Sequence, residues 1–331
     1  MKQTMRLQAL LCLLLFAAPA GAAQGIAFWN VENYFDSVED YPGDPFTPGG
    51  RYRWTPSRFG AKTRGIAKVI LALADSLGDP PSVVGLCEVE NAGCLKALVR
   101  MPALRKYGYR YVHYDSPDPR GIDCALLWRA SGESFGRLRS SRSIPLRDSL
   151  GAVIPTRTLL MVEFDSLSVV VCHLPSKRGG SSEAARRRLL ALRALSALCD
   201  SLASSEKGEF LGVNPAVHRP IVVVGDFNDT RSAQSDSIMA PMRELTPNTD
   251  VSALPTAPGT IKFQGVWEHI DRAFVSPALE AELAVAAPPF LQEPDKKYGG
   301  VKPRRTFSGP RYLGGLSDHY PIILSSVRRR K

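Results

Sequence analysis

The sequence predicts an α+β fold in which two packed β-sheets are flanked by helices. Three observations carry that expectation. Short apolar strands alternate with amphipathic helices, the pattern of a layered mixed fold. The strands number eight or more and outnumber the helices, which suits two sheets better than a single doubly wound one. The run Ile221-Val-Val-Val-Gly-Asp226 is continuously apolar until its end, as expected of a strand buried on both faces. No internal repeat or low-complexity linker divides the chain.

In order along the chain, Ile26-Ala-Phe-Trp-Asn30 opens as a strand, and the Pro-, Gly-, Asp- and Tyr-rich stretch 36–53 is a long loop. Thr55-Pro56 begins a helix, with Thr as N-cap and Pro at the first helical position. Its buried stripe is Ile66, Val69, Ile70, Leu73 and Leu77, and Gly78-Asp-Pro-Pro81 stops it. Val83–Glu88, Tyr109–His113 and Ile122–Trp128 read as strands. Leu159–Phe164 and Ser168–His173 are expected as antiparallel neighbours joined by a tight turn at Asp165-Ser166. A helix follows from Glu183 to Leu202, with Leu192, Leu195, Cys199 and Leu202 on one face. Ile221–Asp226, His269–Val275 and Pro321–Leu324 complete the strands.

The first residues read as an address. Lys2 and Arg6 precede the apolar stretch Ala9–Phe16, and the small residues 17–23 offer A-x-A-like cleavage sites. Residues 1–23 are therefore expected to be a signal peptide, with residues 24–331 forming one catalytic domain that works in the periplasm or medium. The apolar core, about a dozen residues, is too short to span a bilayer comfortably. The formal charge is +10, and removing Lys2 and Arg6 leaves +8. That balance favours anionic partners. Without Cys12, the cysteines Cys87, Cys94, Cys124, Cys172 and Cys199 remain, an odd set without C-x-x-C spacing. It is a poor disulfide framework and no structural zinc site, so buried thiols are expected, with a Cys87–Cys94 bridge as the minority alternative.

Polar residues recur where apolar strands end: Asn30, Glu88, His173, Asp226, Asn228, Asp271, Asp318 and His319. Singly, each is an ordinary turn or capping residue. Their density points instead to metal-assisted phosphoester cleavage. Mg²⁺ takes oxygen ligands and one or two carboxylates, and neutralises phosphate charge. A histidine oriented by a carboxylate supplies a base near neutral pH. No H-E-x-x-H and no G-x-S-x-G elbow is present, so a zinc protease or a serine hydrolase is disfavoured.

The strings Trp29-Asn-Val-Glu-Asn33, Leu86-Cys-Glu-Val-Glu90, Gly225-Asp-Phe-Asn-Asp229, Ile270-Asp-Arg272 and Ser317-Asp-His-Tyr-Pro321 resemble the endonuclease/exonuclease/phosphatase family. The motifs run in the family's order across residues 26–324, and Tyr298–Arg311 and Gly259–Gly265 further resemble secreted bacterial members. The resemblance implies two mixed sheets with helices on both outer faces, in four layers α/β/β/α. It implies Glu88, Asn30 and Asp318 as metal residues, with Mg²⁺ as cofactor and Mn²⁺ or Ca²⁺ as substitutes. It further implies Asp226 and Asn228 as the pair that orients the nucleophile and binds phosphate, and His319 as base with Asp271 as its partner. His173, within Cys172-His-Leu-Pro-Ser176, would contact the phosphate or protonate the leaving group. Its own carboxylate is left open among Glu90, Asp115 and Asp123, while His113, His218 and His269 carry no motif.

Nucleic acid is the leading substrate class. Arg120, Lys177, Arg178, Lys302, Arg304 and Arg305 are expected on the binding surface, and Tyr298, Phe307 and Tyr312 interleave the later cations. The alternative is a phosphatase or phospholipid phosphodiesterase of the inositol phosphate or sphingomyelin type, the lipid version weakened by the lack of an obvious apolar hairpin. A non-catalytic ligand-binding member is least favoured. No stable membrane association and no obligate protein partner are expected, hence a monomer.

Overall fold

A computed structural model describes residues 25–130, 134–176, 181–204 and 220–330. The expected signal peptide, Lys177, Arg178 and His218 lie outside the described residues. The strands, in chain order, are β1 (Ile26–Tyr34), β2 (Val83–Val89), β3 (Tyr109–His113), β4 (Asp123–Arg129), β5 (Leu138–Ile144), β6 (Leu159–Phe164), β7 (Ser168–His173), β8 (Ile221–Asp226) and β9 (Arg243–Glu244). The C-terminal part adds β10 (Ile261–Phe263), β11 (Val266–Glu268), β12 (Asp271–Val275), β13 (Leu279–Val285), β14 (Gln292–Pro294), β15 (Val301–Pro303), β16 (Phe307–Ser308), β17 (Arg311–Tyr312) and β18 (Ile322–Arg329). The helices are α1 (Pro56–Ala72), α2 (Ala74–Leu77), α3 (Ala92–Val99), α4 (Pro102–Arg105), α5 (Ser181–Ser204) and α6 (Ala233–Ile238).

Twelve of the strands form two mixed six-stranded sheets, ordered β13-β18-β1-β2-β4-β3 and β5-β6-β7-β8-β12-β9. Each holds one parallel pair near its centre, β1 with β2 and β7 with β8. The sheets pack face to face, and with helices on the outer faces they make the four layers α/β/β/α. Alternation along the strands shows why. In β8, Val222 and Val224 join the core between the sheets, while Ile221 and Val223 pack with Leu195 and Cys199 of α5. In β7, Val169 and Val171 face inward, and Val170 and Cys172 face the helix layer. Successive side chains of a strand point to opposite faces, so a run covered on both must be apolar throughout.

On the other outer face, α1 starts as the sequence predicts, with the Thr55 side chain accepting the Arg58 amide and Pro56 at the first position. Ile66, Val69, Ile70, Leu73 and Leu77 are all buried. Gly78 closes α2 in the left-handed region at φ 76°. All five described cysteines are buried and free, so Cys87 and Cys94 are not bridged. Among the described residues, no helix is long and apolar enough to cross a membrane.

Two hairpins were not legible as such in the sequence. β10 with β11 and β14 with β15 leave Phe263, Val266, Tyr298 and Val301 exposed, the first two by 60% and 63%. Lys262 ties them together by donating to the Gly299 carbonyl at 2.6 Å and pairing with Asp295 at 3.1 Å. An apolar hairpin tip is therefore present after all. It springs from the site described next, since Thr260 accepts from the Ile270 and Asp271 amides with its Oγ1.

Candidate active site

Both sheets contribute to one cluster. From the first come Asn30 on β1, Glu88 on β2 and the Ser317–His319 segment leading into β18. From the second come His173 ending β7, Asp226 ending β8 and Asp271 opening β12. Strand register brings three of them together: Asp226 stands opposite His173 across the parallel pair and opposite Asp271 across the antiparallel one.

Bulges re-aim the side chains. The β1–β2 pairing slips between Asn30 and Tyr34, where Glu32 and Asn33 take φ values of 47° and 54°. The β2–β4 pairing slips between Cys87 and Val89, and Glu88 sits there at φ 63°. Glu88 thus occupies a kink inside a strand rather than its end. A non-glycine residue in this region costs about 1–3 kcal/mol and persists where surrounding structure enforces it. Here the Glu88 carboxylate accepts the Asn33 amide at 2.9 Å.

The hydrogen bonds form a connected frame. His319 Nδ1 meets Asp271 Oδ2 at 2.8 Å, and its Nε2 lies 3.9 Å from Asp226 Oδ2 and from Asp318 Oδ1. Asn30 donates through its amide to Asp226 Oδ2 at 3.0 Å. Ser317 Oγ donates to the Asn30 carbonyl and accepts the His319 amide, and Trp29 Nε1 donates to the His319 carbonyl. Asn228, at φ 50°, gives its amide to Asp226 Oδ1 and its side-chain N–H to the Leu174 carbonyl.

The carboxylate beside His173 is Asp226, 3.5 Å from Nε2, and none of the three residues considered from sequence. Glu90 accepts from the Asp36 amide and the Asn91 side chain, Asp123 lies against His113, and Asp115 is exposed near the same histidine. His113 therefore has two acidic neighbours that its lack of a motif gave no hint of.

The two site histidines are tuned apart. Burial holds His173 well below the usual histidine range, and the charges of Arg157, Arg120 and His319 add to this. For His319, burial also favours the neutral ring, but Asp271, through charge and hydrogen bond, outweighs it with help from Asp226 and Asp318 and pushes the group well above that range. Burial and the Asp271 charge raise Asp226 to about 7.

The basic residues expected to hold substrate are partly engaged within the protein. Arg120 faces Glu88 Oε1 at 3.5 Å, Lys302 pairs with Glu293 at 3.5 Å, and Arg305 bonds Asp318 at 2.9 Å. Arg304 is exposed. Behind Asp318 lies a cluster missed in the sequence: Glu32 accepts the Thr306 amide at 2.6 Å and lies 3.7 Å from Arg305, while the buried Lys62 donates to the Glu32 carbonyl and to Thr306 Oγ1. Burial and Asp318 raise Glu32 to about 7, and burial lowers Lys62 to about 8. A lysine four residues before Ile66 on an apolar stripe was the available signal. Arg157, also missed, is buried and bonds Asp118 and the Leu174 carbonyl.

Asn30, Glu88 and Asp318 offer oxygen donors, and Glu88 and Asp318 each already lie beside an arginine cation. Such a hard, anionic donor set fits a divalent cation of the Mg²⁺ or Mn²⁺ kind. Asp226, Asp271 and His319 also bring one ligand atom each within 4.8 Å of one another.

A two-sheet sandwich thus carries a histidine–carboxylate pair and clustered acids at one edge. The Endonuclease/Exonuclease/phosphatase family model matches residues 25–328, and the chain belongs to that family. No curated protein matches the sequence. Among solved structures it is similar to a family member from Bacteroides thetaiotaomicron, with 15% identity over 92% of this chain and 98% of that one at a TM-score of 0.55. The mannosyl-6-phosphatase of the same organism matches at 17% identity over 93% and 99%, with a TM-score of 0.54. D. rerio TDP2 complexed with single-strand DNA product matches at 18% over 92% and 98%, with a TM-score of 0.51. At these identities the likeness is one of fold.

Proposed function

We propose that this protein hydrolyses a phosphoester, with nucleic acid as its substrate class and Mg²⁺ as its cation, after export from the cytoplasm and removal of residues 1–23. The Asp271–His319 pair at 2.8 Å, set 3.9 Å from Asp226, is the observation that carries the reading. Asp271 fixes the proton on His319 Nδ1, and a cation beside Asp318 would offset part of the negative charge that favours the charged ring, freeing Nε2 to take a proton from water. Asp226, positioned by the Asn30 amide and by the amide of Asn228, orients that water. His173, held neutral by burial, presents an N–H to a phosphate oxygen or the leaving group. Glu88, Asn30 and Asp318 would hold the cation, which neutralises phosphate charge and stabilises the leaving oxygen.

Nucleic acid is favoured by Tyr298 and Phe263, exposed on two hairpins tied together by Lys262, the first rooted at Thr260 against Asp271, with Lys296, Lys297 and Arg304 nearby in sequence, because aromatic faces beside cations stack bases along a phosphate chain. The TDP2 complex with single-strand DNA is consistent with this choice. The second reading is a phospholipid phosphodiesterase, and the exposed Phe263–Val266 tip is the observation that favours it.

The test incubates the protein, His319→Ala and Asp271→Asn with plasmid DNA, RNA, an inositol phosphate and sphingomyelin vesicles, each with Mg²⁺ or EDTA. Nucleic-acid cleavage should require Mg²⁺ and fall about 10²–10⁴-fold in His319→Ala. Full turnover by that variant overturns the base assignment. Intact nucleic acids alongside a cleaved phosphate ester overturn the substrate.

A further inference from the structure

We propose a second divalent-cation site, apart from the catalytic cluster, formed by His113, Asp115 and Asp123 and suited to a Zn²⁺-type ion. One ligand atom from each of the three lies within 4.8 Å of the others. His113 ends β3, Asp123 opens β4, and Asp115 stands in the loop between them. The His113 side chain is 4% exposed, and its Nε2 lies 3.2 Å from Asp123 Oδ2 yet makes no hydrogen bond. A buried ring nitrogen 3.2 Å from a carboxylate oxygen yet off the line of a hydrogen bond has the spacing of two ligands around one ion, and not the alignment of a satisfied pair. Asp123 is itself buried and aligned by the Ser116 amide, which donates to Oδ1 at 2.9 Å and leaves Oδ2 turned to the histidine. Asp115 approaches the other ring nitrogen, Nδ1, to 3.8 Å with a side chain 90% exposed, so it is the solvent-facing donor that would turn to an ion held at Nε2.

The donor chemistry differs from that of the catalytic cluster's metal residues. One imidazole with two carboxylates suits Zn²⁺, with water completing its shell, whereas Mg²⁺ and Ca²⁺ prefer all-oxygen surroundings. The position also has a consequence. The loop that these residues flank carries Arg120, which faces Glu88, and Asp118, which bonds Arg157. An ion joining His113, Asp115 and Asp123 would staple both ends of that loop and so hold Arg120 at the edge of the active site.

The experiment titrates Zn²⁺ alone, by calorimetry in saturating Mg²⁺, into full-length His319→Ala, where the catalytic histidine no longer competes. One equivalent should bind and raise Tm. His113→Gln or Asp115→Asn added to that background should weaken binding by at least what loss of an outer-shell partner costs, about 10–100-fold, and abolish the rise. Asp115→Asn alters a solvent-facing group, so the test survives even if His113→Gln misfolds. Co²⁺ in place of Zn²⁺ should give visible absorption that Asp115→Asn changes. Zn²⁺ binding equally tightly to both double variants, or no binding to the parent, overturns the proposal.

Discussion

His173 and His319 face the same carboxylate, Asp226, at 3.5 and 3.9 Å, yet their protons are driven in opposite directions. Arg157 and burial keep the first ring neutral, and Asp271 charges the second. The depressed value of His173 has a sign that can be checked. In the unfolded chain the group takes up a proton below its ordinary value of about 6.5, whereas in the native protein it does so only at lower pH. Its contribution to stability is therefore present above that value and lost as pH falls through it. His173→Asn should lose less stability than the parent between about pH 7 and about pH 5, measured by urea unfolding across that window. An unchanged pH slope would show that Asp226 shelters a charged ring. Which carboxylate serves His173 was illegible in sequence because the two residues are 53 positions apart and meet only through the β7–β8 register. The identities of His319, Asp271 and Glu88 were legible because each sits in a short string of fixed residue types.

At the scale of elements, β7 and β8 pack so closely that Gly225 lies against the Cys172 backbone. A Cβ there would run into the Cys172 carbonyl oxygen and Sγ, backbone and fully buried sulfur alike. The glycine in Gly225-Asp-Phe-Asn228 thus sets the spacing of the strands whose next residues are His173 and Asp226. Gly225→Ala should cost about 1–3 kcal/mol in chemical denaturation and reduce turnover more than that loss of stability explains. Strands with doubly buried apolar runs were read from sequence at their true bounds, as β6, β7 and β8 demonstrate. β5 and β13 were not. Leu138–Ile144 is a polar edge strand with no alternation, and Leu279–Val285, rich in Glu, Ala and Leu, has helix-forming composition that pairing with β18 overrides. The bulges at Glu32–Asn33 and Glu88 were hidden for another reason: nothing in those residue types demands a left-handed backbone.

Over the described residues, stability comes from two large cores and a smaller aromatic cluster around Trp54, and not from covalent cross-links. One core fills the space between the sheets and beneath α1 and α3, and the other lies between the second sheet and α5. The five free buried cysteines behave as small apolar side chains, and burial pushes each thiol up, away from the reactive thiolate. Tm should be the same with and without a thiol reductant. A drop on reduction would reveal a disulfide and contradict the packing described.

The placing of β18 carries a further consequence. It lies between β13 and β1, inside the edge of the first sheet, and Asp318 and His319 stand just before it in the chain. Asn30 and Glu88 emerge early in synthesis, but Asp318 and His319 arrive more than two hundred residues later. Until that last strand slots in, the growing polypeptide holds only fragments of the acid–histidine cluster. On the proposed function, a cell making this protein would be shielded from it during translation by the order of its own strands.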